Sequence, residues 1–143
     1  GREKAPAAIC RKVAYLPESG GAIEVWGDGL QTRSFLFIDE CIEATRRLMD
    51  SDFIGPVNIG SEEMVTINQL VDTAARVAGK DVEKIHIDGP LGVRGRNSNN
   101  DLIREKLGWD YSQTLEEGIR KTYNWITEQI KSSEKYIPFH HSV

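Results

Sequence analysis

A chain of 143 residues that is 39% hydrophobic and 28% charged has enough apolar mass for one domain with a real core, which excludes a disordered segment. Its formal charge of −4 excludes a broad nucleic-acid footprint and leaves room only for a local basic site. No run approaches the ~18 apolar residues that a membrane span needs.

From the first residues, Ala5 to Val13 spaces Ala, Ile, Cys and Val as a helix does. Pro6 suits its first turn, and Pro17 lies beyond its end. The turn PESGG leads into AIEVW, an alternating strand closed by Gly-Asp-Gly, and a loop covers Leu30 to Arg33. SFLFID predicts a second strand. Asp39 is placed to cap the helix ECIEATRRLM, whose acids come first and whose arginines come last, as the helix dipole favours. GPVNIGS reads as a brief strand between glycines.

Thr66 with Gln69 forms a capping box. Ile67, Leu70, Val71, Ala74, Val77 and Ala78 make one apolar face until Gly79. KIHID predicts another strand, followed by the glycine and arginine loop GPLGVRGRNSNN. Asp101, or an Asn before it, caps LIREKL, which Gly108 ends. Thr114 with Glu117 makes a second capping box ahead of Leu115, Ile119, Tyr123, Ile126 and Ile130, and the tail from Ser132 has no period. Alternating strands and helices imply an α/β fold, although the strands are too few and short for a complete doubly wound sheet. Residues 1–143 read as one unit whose sheet is completed by strands preceding it. Beginning at Gly1 inside an apparent functional loop, the chain is expected to be a cut piece of a longer protein. Cys10 and Cys41 lie in apolar helical contexts, as packed free thiols of a reducing compartment do, so the expected location is cytoplasmic.

No strand is followed by G-x-G-x-x-G, and there is no P-loop, C-x-x-C or H-E-x-x-H. Three cationic groups stand in loops or at a helix start: Arg2 and Lys4 with Lys12, then Arg33, then Arg94 and Arg96. Guanidinium groups beside glycines suit close approach to a diphosphate. The plainer reading pairs each arginine with Asp28, Glu43 or Asp101 on the surface. Lys4 is suited to act as general acid or base if burial or a neighbouring cation, Arg2 or Lys12, lowers its pKa. His86, between Ile85 and Ile87, faces away from them. His140 and His141 lack the carboxylate or thiolate partners of a metal site. Trp26 stands where it can line a nucleotide pocket, whereas Trp109 and Trp125 are expected in the core.

Taken together, REKAPAAICRK, WGDGLQTRSFLFIDEC, PVNIGSEEMVTINQL, GPLGVRGRNSNN and LIREKLGW resemble, in this order, the C-terminal part of the GDP-mannose 3,5-epimerase family of extended short-chain dehydrogenases/reductases. The likeness runs from Gly1 to about Gln129. It implies a C-terminal substrate-binding part with an incomplete Rossmann sheet, and an NAD-binding domain outside these residues. It also implies a homodimer acting on GDP-mannose or a related nucleotide sugar, with neither nucleic acid nor membrane as partner. In that family NAD takes hydride from C4 of the sugar, the C4 ketone acidifies C3 and C5, a Cys and Lys pair moves protons there, and hydride returns. The products are GDP-L-galactose and GDP-L-gulose.

Carried over by motif, Lys4 is the lysine of that pair, with Glu3 and Ala5 beside it at the sugar. Lys12 approaches the nucleotide side. Gln31, Thr32, Arg33 and Arg96 hold the GDP portion, the two arginines on its diphosphate. The family's catalytic Cys, its Y-x-x-x-K pair and its glycine fingerprint have no counterpart in the chain, so Cys10 and Cys41 take no part. Three alternatives remain: a GDP-sugar-binding module without chemistry, an epimerase or dehydratase of another nucleotide sugar, and a solvated α/β domain without a small-molecule site.

Overall fold

In the computed structural model, residues 3–90 and 92–134 are described. The elements run α1 (Ala5–Ala14), β1 (Gly20–Trp26), β2 (Thr32–Ser34), α2 (Ile38–Met49), β3 (Met64–Thr66), α3 (Ile67–Ala78), β4 (Asp81–Ile87), β5 (Gly95–Arg96), α4 (Asp101–Leu107) and α5 (Leu115–Glu134). The fold is α/β with two small sheets. β1 and β4 pair in parallel, and β2 lies between antiparallel β3 and parallel β5.

The larger core forms where α1, α3 and α5 bring Ile9, Cys10, Val13, Leu70, Val71, Ala74, Ile119 and Tyr123 against Ile23 and Val25 of β1. α3 starts on its capping box: Gln69 N donates to Thr66 Oγ1 at 3.0 Å, while Thr66 N donates to Gln69 Oε1 at 2.8 Å. It ends at Gly79 with φ of 67°, in the left-handed region that glycine enters without steric cost. The second box, at Thr114 and Glu117, forms as well. A smaller core of Ala44, Ile103 and Trp109 joins α2 to α4.

Lys80 ties two elements together. Its Nζ donates to the carbonyls of Val13, Ala14 and Leu16, at 3.2, 3.3 and 2.7 Å, at the end of α1, where the last carbonyls of a helix have no intrahelical donor. Lys80→Met keeps the stem and removes these donors. Loss of charge-assisted bonds should cost about 1–3 kcal/mol, read as a lower denaturant midpoint at unchanged slope.

Several sequence expectations are corrected. β2 stops at Ser34, and Phe35 to Phe37 leave the sheet to pack, so SFLFID is not a strand throughout. Phe37, not Asp39, holds the N-cap position of α2. GPVNIGS forms no strand among the described residues; Val57 and Ile59 pack on the smaller core, and an extended segment with no neighbouring strand makes no ladder. Asn100 occupies the N-cap position of α4, but its side chain makes no cap bond. α5 continues to Glu134, past the predicted start of the tail. Trp109 is buried as expected, whereas Trp125 is 61% exposed because it lies off the apolar stripe of α5.

The thiols differ in the same way. Cys10 is fully buried, and burial pushes its pKa up to about 11. Cys41 is half-buried beside a shallow surface groove with Ile42, Thr45 and Met49. The thiolate is the reactive form. At pH 8 a thiol reagent should therefore modify Cys41 and spare Cys10 until the protein unfolds; peptide mass mapping over time checks this, and equal labelling of both would contradict the packing.

Candidate functional site

β2 and β5 run in parallel with Arg33 directly beside Arg96. In a parallel ladder, residues in register send their side chains to one face, so both arginine side chains leave the sheet on the same side. Both line an open cleft of about 300 Å³, walled also by Ser34, Leu36, Gly60, Ser61 and Ser98. Like charges at neighbouring positions oppose sheet formation unless something compensates them. Here protein carboxylates do not: among the described residues neither arginine makes an ion pair, and Arg33 spends its donors on the carbonyls of Thr32 and Val93, both at 2.6 Å.

The acids that offered a surface-pairing explanation are engaged elsewhere. Asp28 pairs with Arg94 at 2.9 Å, Glu43 with Arg47 at 2.5 Å, and Asp101 with Arg104 at 3.3 Å. Asp28 also accepts from Leu30 N, and this bond, ahead of Arg94, holds its carboxyl below the usual range. Arg94 therefore fits the surface-pairing reading, and Arg33 and Arg96 do not.

A second cleft, of about 230 Å³, adjoins the first through Leu36, which lines both. Lys4 stands at it, with Phe35, Phe37, Gln113, Thr114 and Thr122 around it. Lys4 is the N-cap residue of α1 in an extended conformation, with no side-chain cap bond. A lysine there forgoes the acceptor that a cap supplies and puts a cation at the positive end of the helix.

The other predicted residues are distributed differently. Ala5 packs at the edge of the larger core. Thr32 pairs with Thr66 and Gly95 inside the small sheet, and its backbone N donates to Arg94 O. Gln31 is 8% exposed; its Nε2 donates to Trp26 O at 3.3 Å, while its Oε1 is buried with no partner among the described residues. Glu3 pairs with Arg11 at 3.0 Å and lines a groove with Trp125 and Ile130, outside both clefts. Lys12 donates to Glu24 O at 2.9 Å. Eight residues of helix separate it from Lys4, about 12 Å of rise, so it is no neighbouring cation there. Arg2, His140 and His141 lie outside the described residues. Trp26 is exposed with its ring against Gly89, away from the arginine cleft, and His86 bonds Asn68.

Below the arginine cleft is a polar cluster that sequence reasoning did not single out. Arg104 meets Glu62 at 2.5 Å and Asp110 at 2.7 Å, and its guanidinium is the largest cause holding both carboxyls below their usual range. Groups so depressed stabilise the fold at neutral pH, and that contribution is lost as pH falls through their folded pKa values. Its only trace in the sequence is the acid and arginine spacing, which an ordinary solvated face shares.

No family model matches the chain. It is 56% identical to the GDP-mannose 3,5-epimerase of Arabidopsis thaliana over 134 residues, 94% of this chain and 35% of that protein. The identity is 54% over the same share with GDP-mannose 3,5-epimerase 1 of Oryza sativa subsp. indica. The chain thus spans about a third of the length of these curated relatives. UDP-glucuronic acid decarboxylase 6 of Arabidopsis thaliana is 36% identical over 101 residues, 70% of this chain and 29% of that protein. Among solved structures, a UDP-glucose 4-epimerase from Thermotoga maritima, determined with UDP-glucose, superposes with a TM-score of 0.82 at 24% identity, covering 91% of this chain and 41% of that one. At that identity the likeness speaks for the fold.

Proposed function

Because the chain belongs to the GDP-mannose 3,5-epimerases among the extended short-chain dehydrogenases/reductases and corresponds to their C-terminal portion, we propose that its adjoining clefts grip a GDP-hexose during epimerisation. The observation that carries this reading is the pair Arg33 and Arg96, in register, on one cleft and without carboxylate partners. A diphosphate supplies the missing charge, and two guanidinium forks match its oxygens. In a GDP-sugar the diphosphate separates nucleoside from hexose. With phosphates at the arginines, the hexose extends past Leu36 into the cleft of Lys4.

In this reading residues 1–143 form the nucleotide-sugar-binding domain. Lys4 Nζ exchanges a proton with the carbons flanking C4 of the sugar, opposite an acid or base from outside these residues, as inversion requires. Gln31 and Thr32 support the nucleotide wall from beneath, and Glu3 and Ala5 fix the turn that presents Lys4. Lys12 fastens α1 to β1 through the Glu24 carbonyl at the nucleotide side.

The parent reaction needs NAD. Among the described residues no glycine turn opens a helix from a strand in the way a dinucleotide phosphate requires, so NAD is assigned to the part of the enzyme outside them. When bound it removes and returns hydride at C4, which acidifies the neighbouring carbons. NMR of GDP-mannose incubated with NAD and the polypeptide carrying these residues tests the proposal: 3,5-inverted and 5-inverted GDP-hexoses are expected, and inversion at C4 alone would assign a different epimerase.

A further inference from the structure

Asn100 is fully buried, and each of its polar groups has a specific partner. Its Nδ2 donates to Gly60 O at 2.7 Å, its Oδ1 accepts from Ser98 Oγ at 2.7 Å, and its backbone N donates to Glu62 Oε1 at 2.9 Å. Gly60 and Ser98 each contribute to the wall of the arginine cleft, from separate segments of the chain. These segments touch: a Cβ on Gly60 would lie 2.6 Å from Ser98 Cβ, so only glycine permits the approach. Asn58 Nδ2 to Asn99 O, at 3.4 Å, adds a weaker bond across the same seam.

Asn100 is also the first link of a chain that runs into the fold. Glu62 receives its backbone N–H and the Arg104 guanidinium, and Arg104 continues to Asp110. α4 begins at the next residue, so the seam is anchored to a helix whose Ile103 is in the smaller core. Arg96 lies two residues before Ser98, on the strand that this seam terminates. The other end of that strand is held by its short ladder with β2, by the Asp28–Arg94 pair and by the Arg33 bond to Val93 O, so the seam at Ser98 fixes the end that follows Arg96.

We propose that Asn100 is a positioning residue for the anion cleft: by clamping Gly60 to Ser98 it fixes the cleft's width and so the place of the Arg96 guanidinium beside Arg33. This rests on the diphosphate reading above. The amide suits the task because it donates to one segment and accepts from the other, which neither a carboxylate nor an aliphatic side chain can do.

The test is calorimetric titration of GDP and of guanosine into the polypeptide carrying this chain, as the unaltered protein, Asn100→Ser, Arg96→Ala and the double variant. Asn100→Ser should weaken GDP about tenfold and leave guanosine unchanged, and the loss should largely vanish in the Arg96→Ala background, as coupled neighbours require. Glu62→Gln, which loosens the anchor while sparing the Asn100 amide, should shift GDP affinity in the same direction by less; it decides the matter if Asn100→Ser fails to fold. Full retention of GDP affinity in a folded variant, or an equal loss with and without Arg96, overturns the positioning role while leaving the cleft intact. If the unaltered protein does not bind GDP, the diphosphate reading fails and this inference with it.

Discussion

Arg96→Ala should weaken GDP binding by about 10- to 100-fold, the worth of one charge-assisted hydrogen bond at roughly 1.5–3 kcal/mol. The Arg33→Ala, Arg96→Ala pair should lose specific binding altogether. The single change at Arg96 is the cleaner experiment, because among the described residues its guanidinium makes no hydrogen bond or ion pair. Arg33 also fastens the Thr32 and Val93 carbonyls, so its removal affects the cleft wall as well as the ligand. Removing Arg96 also relieves the juxtaposition of like charges on β2 and β5. Arg96→Ala is accordingly expected to leave the unliganded protein as stable as before, or slightly more so. Calorimetry with GDP, paired with unfolding of the free protein, reads both quantities. A destabilised protein with undiminished GDP affinity would make Arg96 structural.

The second large effect is at Lys4, where stability and turnover should separate. Lysine at the N-cap of α1 is a poor choice for the helix, since serine there would accept an N–H bond that Lys4 leaves unmade. Lys4→Ser should therefore stabilise the fold by about 0.5–2 kcal/mol and slow epimerisation by about 10²- to 10⁴-fold. GDP affinity should be unchanged, because Lys4 stands on the hexose cleft and not between the arginines. Solvent deuterium uptake into the recovered sugar sharpens the test. Lys4→Ser should suppress exchange at a carbon flanking C4 while hydride transfer at C4 persists. Exchange at the rate of the unaltered enzyme would remove Lys4 from proton transfer.

Both residues show what the sequence could and could not disclose. Helices that carry their own punctuation were legible: α3 and α5 formed on their capping boxes, and Gly79 and Gly108 ended α3 and α4 in the left-handed conformation. Strands fared worse because pairing is decided elsewhere in the chain. GPVNIGS has strand composition, yet it forms no ladder among the described residues, while β3 and β5 exist because β2 lies between them. Single arginines could not be sorted by sequence either. Arg94 and Arg96 stand in one loop, but Asp28 reaches only Arg94, and the register with β2 sets Arg96 against Arg33. Asn100 read as a possible cap, and its burial between Gly60 and Ser98 depends on contacts some 40 positions apart.

Whether one diphosphate bridges Arg33 and Arg96 is read from a crystal structure of the polypeptide carrying these residues with GDP bound. Phosphate oxygens are expected within hydrogen-bond distance of both guanidinium groups, with the diphosphate in the cleft beside Ser98 and its distal end directed past Leu36 toward Lys4. A diphosphate seated elsewhere, with Arg33 and Arg96 still facing solvent, would contradict the bridge.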